Sequence, residues 1–363
     1  MIEEFFEHPV YGLAKAEKAA LLGRELGELT RHHDAACAPY HAILSAYPAN
    51  ALPGGANAPF LPVSMFKMHS LSSVPQDQIF KTMTSSGTTG QAPSRIFLDA
   101  DTAQLQTRAL TRIVTSFIGP KRLPMLIIDH PSVVKDRRTF SARGAGILGL
   151  MTFGRDHRFA LKDETMELDW ESIEYFAQKY PDSPIFAFGF TFMVWQHFLQ
   201  QLKAAGRKLP FADAILIHSG GWKKLEAEKV SNDIFKGVAK DIAGFSRVHN
   251  FYGMVEQTGS VFMECEAGRL HAPLFADIII RDPQDWRECA IGEAGVIQVL
   301  SVLPRSYPGH SLLTEDRGRL LGEDDCACGR KGKTFEVLGR LPKAEVRGCS
   351  DTFAQPVPQG AAA

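Results

Sequence analysis

Short apolar runs alternate with helical stretches along most of this chain. Residues 10 to 47 are rich in Ala, Leu, Glu and Lys, and their apolar positions recur with helical spacing, which predicts helices there. The Pro/Gly/Ala stretch from Tyr47 to Pro62 then separates this helical preface from the body. From about residue 76 onward, β-rich runs follow helix-like segments: 124–129, 183–188, 212–217 and 246–251. Strands that are apolar at nearly every position belong in a sheet covered on both faces. Residues 260 to 320 turn strand-rich and are punctuated by Gly and Pro, as in an added antiparallel or barrel-like subdomain. The pattern predicts an α/β protein, with mixed sheets flanked by helices and a small β subdomain.

Composition narrows the partners. With 363 residues, 45% of them hydrophobic, the chain can bury a full core. A net charge of −1 gives no broad basic face for nucleic acid and no polybasic membrane anchor, so small-molecule chemistry is expected. No apolar run reaches the roughly 18 residues of a membrane span. The N-terminus, Met1-Ile-Glu-Glu-Phe-Phe-Glu7, carries acids where a secretory signal has a basic region, and a cytosolic location is expected. In a reducing compartment, six cysteines point to thiols, metal ligands or a nucleophile rather than to disulfides.

The candidate chemistry starts at Thr84-Ser85-Ser86-Gly87-Thr88-Thr89-Gly90, which lies between strand-like flanks at residues 78–83 and 95–98. Glycines let the backbone approach an anion and turn its N–H groups toward it, while Ser and Thr hydroxyls add donors and can meet a metal ion. The stretch reads as a phosphate loop, yet no Gly-Lys-Ser/Thr follows as in a Walker A element. On its own, a Ser/Thr/Gly hairpin is more often an ordinary turn. A second block, Asn250-Phe-Tyr252-Gly253-Met-Val-Glu256, sits just after a predicted strand, where open α/β sheets bind ligands. Leu313-Thr-Glu-Asp316-Arg-Gly and Leu338-Gly-Arg340 complete the series.

In this order and at these separations, the four blocks resemble the adenylate-forming superfamily of acyl-CoA synthetases and their relatives. The resemblance implies the fold of that superfamily's N-terminal domain. It also implies a phosphate loop at Ser85–Gly90, a Tyr252/Gly253/Glu256 element holding adenylate and Mg²⁺, a ribose contact at Asp316, and a hinge at Arg340. Closer still is the LuxE family of acyl-protein synthetases. That resemblance rests on Pro62-Val-Ser-Met-Phe66-Lys67, on the phosphate loop, on Gly220-Gly221-Trp222-Lys223, and on Ala344-Glu-Val-Arg-Gly-Cys349. It spans about residues 60 to 352 and implies activation of a fatty acid with ATP as acyl-AMP, transfer to a cysteine near the C-terminus, and delivery to a partner acyl reductase. The domains expected are a helical preface over 1–60, a catalytic domain over 61–338, and a vestigial C-terminal segment over 339–363. Larger superfamily members continue past the hinge into a domain of about 100 residues that bears a catalytic lysine, whereas fifteen residues follow Gly348 here.

Each candidate has a plain structural alternative. Cys349 by itself reads as a small apolar packing residue, but Arg347 nearby would favour its thiolate, and the family match makes it the acyl acceptor. Lys223 by itself reads as a helix-start lysine, and Lys67 comes from the Phe-Lys element ahead of the phosphate loop. Forming acyl-AMP gathers negative charge at one point, and either could replace the absent lysine. Glu256 and Asp316 are otherwise solvated carboxylates, and Arg340 an ordinary salt-bridge partner. Cys326-Ala-Cys328 has knuckle-like spacing, and with Cys265 and His271 it would supply three thiolates and an imidazole to a structural Zn²⁺; free loop thiols are the alternative. Cys37 and Cys289 read as packing residues, and Phe186, Phe188, Phe190, Phe192 and Trp195 as core that could also wall an acyl tunnel. His130, His218 and His249 read as hydrogen-bonded scaffold. The rival functions are an acyl- or aryl-CoA ligase of the phenylacetate type, with CoA as acceptor, and a non-catalytic acyl- or nucleotide-binding subunit.

Overall fold

The structure, a computed structural model, describes residues 2–47, 59–85, 93–134, 142–163, 165–222 and 229–341. The chain begins with helices α1 (Lys15–Ala36) and α2 (Ala38–Leu44), strand β1 (Leu61–Pro62) and the single turn α3 (Met65–Met68). A hairpin of β2 (Lys81–Thr84) and β3 (Arg95–Leu98) leads into α4 (Ala100–Ile118). An α/β stretch follows: β4 (Leu123–Ile127), α5 (Ala142–Met151), β5 (Gly154–Phe159), α6 (Trp170–Lys179), β6 (Ile185–Phe190), α7 (Gln200–Ala204), β7 (Ala214–Ser219) and α8 (Asn232–Ala243). Strand β8 (Phe245–Tyr252) precedes two short strands, β9 (Phe262–Met263) and β10 (Leu270–His271). The long strands β11 (Ala276–Arg281), β12 (Ala294–Ser301), β13 (Ser311–Glu323) and β14 (Lys333–Arg340) end the described chain.

Two compact units result. The described residues up to 121 and from 249 onward form one, and Arg122–Val248 the other. In the second, β4, β5, β6 and β7 pair in parallel in the order β5-β4-β6-β7. Strands β6 and β7 are buried at every position, as their unbroken apolar sequences require of a parallel sheet. Helices α6 and α8 start on side-chain caps that satisfy exposed N–H groups: Asp169 accepts from Ser172 N at 3.2 Å for α6, and Ser231 from Ile234 N at 3.3 Å for α8. Helix α8 ends at Gly244 with φ +70°, where a Cβ would lie 2.4 Å from the Phe211 carbonyl oxygen.

The first unit is built on an antiparallel sheet in the order β10-β14-β13-β12-β11, and β1 pairs in parallel with β13. Its core gathers Tyr40 from α2, Phe66 from α3, Ile96 and Leu98 from β3, and Ile278, Ile297, Leu312 and Phe335 from the sheet. Burying side chains of this size contributes about 1.5–3 kcal/mol each. The strand-rich stretch expected over residues 260 to 320 is present, and the helical preface resolves into α1 and α2. No helix among the described residues is long and apolar enough to cross a membrane.

Candidate active site and cysteine cluster

Three sequence-distant blocks meet in the first unit. The Tyr252 hydroxyl, at the end of β8, donates to Asp316 Oδ2 at 2.8 Å, and Arg340 Nε lies 3.6 Å from Asp316 Oδ1. Asp316 and Arg340 are directly opposed on β13 and β14, so strand register brings the acid and the base together. Thr314 orients the acid: its Oγ1 donates to the Ile297 carbonyl and accepts from Asp316 N at 3.1 Å. Burial raises the Asp316 carboxyl above the ordinary carboxylate range, against the opposing pull of Tyr252 and Arg340. Burial, and then the Asp316 charge, push the Tyr252 phenol well above its usual range, which keeps it a neutral donor.

Lys67 joins this group for a local reason. Pairing of Leu61 with Leu312 and Pro62 with Leu313, continued by Val63 N donating to the Leu313 carbonyl at 2.9 Å, fixes β1 along β13. The next turn, α3, buries Phe66 against Tyr307, with ring centroids 6.0 Å apart. Lys67 is thereby carried to β13, and its Nζ lies 3.9 Å from Glu315 Oε1, while Arg340 Nη1 lies 4.0 Å from Glu315 Oε2. Sequence reasoning quoted Glu315 inside its block but gave it no part; its only signal was its place beside Asp316.

Glu256 lies in the turn after β8 and is buried. Gln257 anchors that turn, donating from Nε2 to the Gly309 carbonyl at 2.8 Å and to the Val299 carbonyl at 3.2 Å. Gly309 permits this close approach, since a Cβ there would meet the Tyr307 ring at 2.3 Å and the Glu256 carbonyl oxygen at 2.9 Å. Burial raises the Glu256 carboxyl above its usual range, offset in part by Ser94 and by the Lys67 charge. Gly253 completes the block as the link between Tyr252 and this turn. At the root of the phosphate loop, Ser85 N donates to the Ser94 carbonyl at 3.2 Å and Ser85 Oγ accepts from Ser94 N at 2.9 Å, so Ser85 closes the end of the β2–β3 hairpin.

Other expected residues fall elsewhere. Gly220 and Gly221 follow β7 in the second unit; Gly220 has φ +84°, and a Cβ there would meet the Phe190 ring at 3.2 Å. Phe186, Phe188, Phe190 and Trp195 are buried, with Trp195 stacked on Phe235, which makes them core. Cys37 and Cys289 are buried too. His130, His218 and His249 are each hydrogen-bonded, to Ser132 Oγ at 2.6 Å, Thr191 Oγ1 at 2.9 Å and the Glu264 carbonyl at 2.8 Å. Ser86, Gly87, Thr88, Thr89, Gly90, Lys223 and Cys349 lie outside the described residues.

Cys265, His271, Cys326 and Cys328 come together, with all four ligand atoms within 4.8 Å of one another. Cys265 Sγ and Cys326 Sγ are 3.7 Å apart, and Cys328 Sγ and His271 Nε2 are 3.4 Å apart. Tetrahedral zinc, with Zn–S and Zn–N bonds of about 2.3 and 2.0 Å, sets its ligand atoms about 3.5–3.8 Å apart. Burial lowers His271 to about 4, leaving the imidazole neutral as a ligand must be, and raises the Cys265 thiol to about 12. Two turns hold the thiols: Gly268 N donates to the Cys265 carbonyl at 2.9 Å, and Gly329 N to the Cys326 carbonyl at 3.0 Å.

Comparison with known proteins gives the family. A family model described as acyl-protein synthetase, LuxE, matches residues 6–357. The long-chain-fatty-acid–luciferin-component ligase of Aliivibrio fischeri is 23% identical over 305 residues, covering 82% of this chain and 78% of that protein. A solved structure of 2-hydroxyisobutyryl-CoA ligase, in an open conformation with 2-HIB-AMP and CoA, matches 90% of this chain and 76% of that one, with a TM-score of 0.68 at 14% identity. The same ligase in its thioesterification state matches over 93% and 72%, with a TM-score of 0.66 at 14% identity. At such identities the structural likeness concerns the fold. The chain belongs to the LuxE family of acyl-protein synthetases, AMP-forming ligases on the adenylate-forming fold.

Proposed function

We propose that this ligase activates a fatty acid with Mg·ATP and then carries the acyl group on its own Cys349 for delivery to a partner acyl reductase. In the first step a carboxylate oxygen attacks the α-phosphorus, the bond to the β-phosphate oxygen breaks, and pyrophosphate leaves. In the second, the Cys349 thiolate attacks the acyl carbonyl and the carbonyl–oxygen bond to AMP breaks. The thioester keeps the activation in a form that a reductase can take over. The observation carrying the nucleotide step is the convergence of Tyr252, Asp316 and Arg340 from three blocks onto one contact. Asp316 would accept from ribose hydroxyls, Arg340 would face phosphate charge, and Ser85–Gly90 would cradle the phosphates. The fatty acid is favoured by the name of the Aliivibrio fischeri relative.

Lys67 is the stronger candidate for the lysine that meets the negative charge gathered in adenylation, because its ammonium sits in the cluster with Glu315 and acts on Glu256. Lys223 is the second. Glu256, with a hydroxyl of Thr88 or Thr89, would serve Mg²⁺, which takes few protein ligands and otherwise phosphate oxygens and water. The spacing of Cys265, His271, Cys326 and Cys328 fits structural Zn²⁺, which would cross-link the segment around residue 265 to that around residue 326 and take no part in the chemistry. The domain division 1–60, 61–338 and 339–363 goes with this reading, as does a cytosolic location.

Intact-protein mass spectrometry after incubation with Mg·ATP and mixed carboxylic acids tests the scheme. A hydroxylamine-labile adduct on wild type, lost in Cys349→Ser, is expected, and its mass names the acid. Pyrophosphate release without an adduct would move the acceptor to a soluble thiol such as CoA. Neither signal, with ATP bound, would leave a binding subunit.

A further inference from the structure

We propose that a cavity between α1 and the sheet of the first unit is a binding site, separate from the nucleotide cluster, for a small apolar molecule that ends in an uncharged hydroxyl group. Lys15, Ala19, Leu22, Gly23 and Leu26 recur at the spacing of one helix face and line this cavity from the α1 side. Its volume, about 670 Å³, lies inside the roughly 300–1,000 Å³ range of small-molecule sites. Leu22 and Leu26 of α1, with Ile279, Leu300 and Leu320 of the sheet, give it apolar walls. Ala19 and Gly23, one turn apart, present almost no side chain where α1 passes over the space. A glycine inside a helix is unfavourable to the helix, and at position 23 it leaves volume that a larger residue would occupy.

The polar end of the cavity selects against a charged head group. Lys333 Nζ donates to the Ile278 carbonyl at 2.9 Å and lies 3.2 Å from Asp277 Oδ2. Lys18, on the same side of α1, donates to the Ala272 carbonyl at 3.0 Å and lies 3.7 Å from Asp277 Oδ1. Lys15 Nζ meets Glu323 Oε2 at 2.8 Å, and Glu288 on the rim acts on both Lys15 and Lys333. Lys15, Lys18 and Lys333 are thus matched by Asp277, Glu288 and Glu323, while Arg287 beside them is held by Asp282 and Glu293. An arriving carboxylate or ammonium would add an unmatched charge where Lys18, Asp277 and Lys333 are already largely removed from water. A hydroxyl both donates and accepts, so it can meet a carboxylate oxygen and an ammonium N–H without disturbing that balance. Glu323 and Lys333 are directly opposed on β13 and β14. Glu323 stands seven residues beyond Asp316, roughly 20 Å along β13 at 3.3 Å per residue, which separates this site from the nucleotide cluster.

Calorimetric titration of the full chain with 1-decanol, decanoate and decylammonium, without ATP, tests this. The alcohol should bind at least tenfold more tightly than either ion. Its heat should disappear in Gly23→Leu and in Ala19→Leu, whose added side chains fill the cavity, while both variants keep the wild-type circular dichroism and pyrophosphate exchange. Two fillings at different positions keep the test open if one of them does not fold. No heat with 1-decanol, heat retained in a folded filled variant, or an ion bound as tightly as the alcohol would each overturn the assignment. Because the titration uses no ATP, its failure leaves the ligase reading standing, and a wild type silent in pyrophosphate exchange leaves this site standing.

Discussion

The Tyr252 hydroxyl and the Asp316 carboxylate, 64 residues apart in the chain, meet at 2.8 Å. Each residue alters the other's proton affinity in a useful direction. The acid keeps the phenol protonated as a donor, and the phenol opposes the burial that would otherwise neutralise the acid. In the proposed nucleotide site, an ionised Asp316 would be the stronger acceptor for ribose hydroxyls.

Removing the phenol should therefore move a titration as well as weaken binding. In Tyr252→Phe the buried acid loses its donor, its affinity for a proton rises further, and the acid limb of kcat/KM shifts to higher pH. The lost bond costs about 1 kcal/mol of stability. Pyrophosphate exchange followed across pH checks this. An unshifted acid limb would detach Asp316 from the limiting titration.

The cysteine cluster makes an independent prediction. One equivalent of zinc should be measured by atomic emission on the purified chain, and Cys326→Ser should lose it together with stability, because a structural metal ties its binding energy to folding. The exchange rate per folded molecule should stay close to wild type at low temperature. Full stability with no bound metal would leave free thiols in place of a metal site.

What the sequence disclosed here, and what it concealed, follows from the range of the forces involved. Strands β4, β6 and β7 were legible because burial on both faces demands unbroken apolar runs. Tyr252, Asp316 and Arg340 were legible as residues because each sits in a short block. The meeting of Asp316 and Arg340 depends on the register between β13 and β14, which no local pattern records. Glu315 was overlooked for the same reason, since its partner Lys67 reaches it only through the parallel pairing of β1 with β13. The buried His33 and His310, on α1 and before β13, carried no signal, as each lies in an unremarkable local sequence.

That histidine pair sets a pH dependence for stability. The rings stack 5.1 Å apart; His33 Nε2 donates to the Pro304 carbonyl at 3.1 Å, which leaves Nδ1 to accept from Ser73 Oγ at 2.8 Å. Burial lowers His310 to about 3 and His33 well below its usual range, and each would be further penalised by a charged histidine neighbour. A folded pKa below the unfolded value near 6.5 means that the unfolded chain binds more protons between those limits. Stability is thus full above pH 6.5 and falls as pH drops, by about 1.4 kcal/mol per pH unit for each such histidine. Burial lowers His130 and His197 as well, so they add in the same direction. Urea titrations between pH 8 and 5 should show the slope, and His310→Gln should reduce it by one proton's share. A stability flat across that range would mean that these rings take up protons in the fold as readily as in the unfolded chain.

Phe66 and Lys67 are neighbours whose roles should separate cleanly. Phe66 is fully buried and packs on Tyr307, so Phe66→Ala leaves a cavity in the first unit's core and should cost about 3–5 kcal/mol. It also frees the turn that carries Lys67, so exchange should fall even where the variant remains folded. Lys67 is not a member of the hydrophobic core, and the ion pair lost in Lys67→Ala is loose at 3.9 Å and contributes about 0–1 kcal/mol. Its stability should stay near wild type while adenylation drops steeply. Urea midpoints and exchange rates measured side by side distinguish the two effects. A Lys67→Ala variant with full exchange would shift the charge-stabilising role to Lys223, and a Phe66→Ala variant with undiminished exchange per folded molecule would show that the turn holds Lys67 without the ring beneath it.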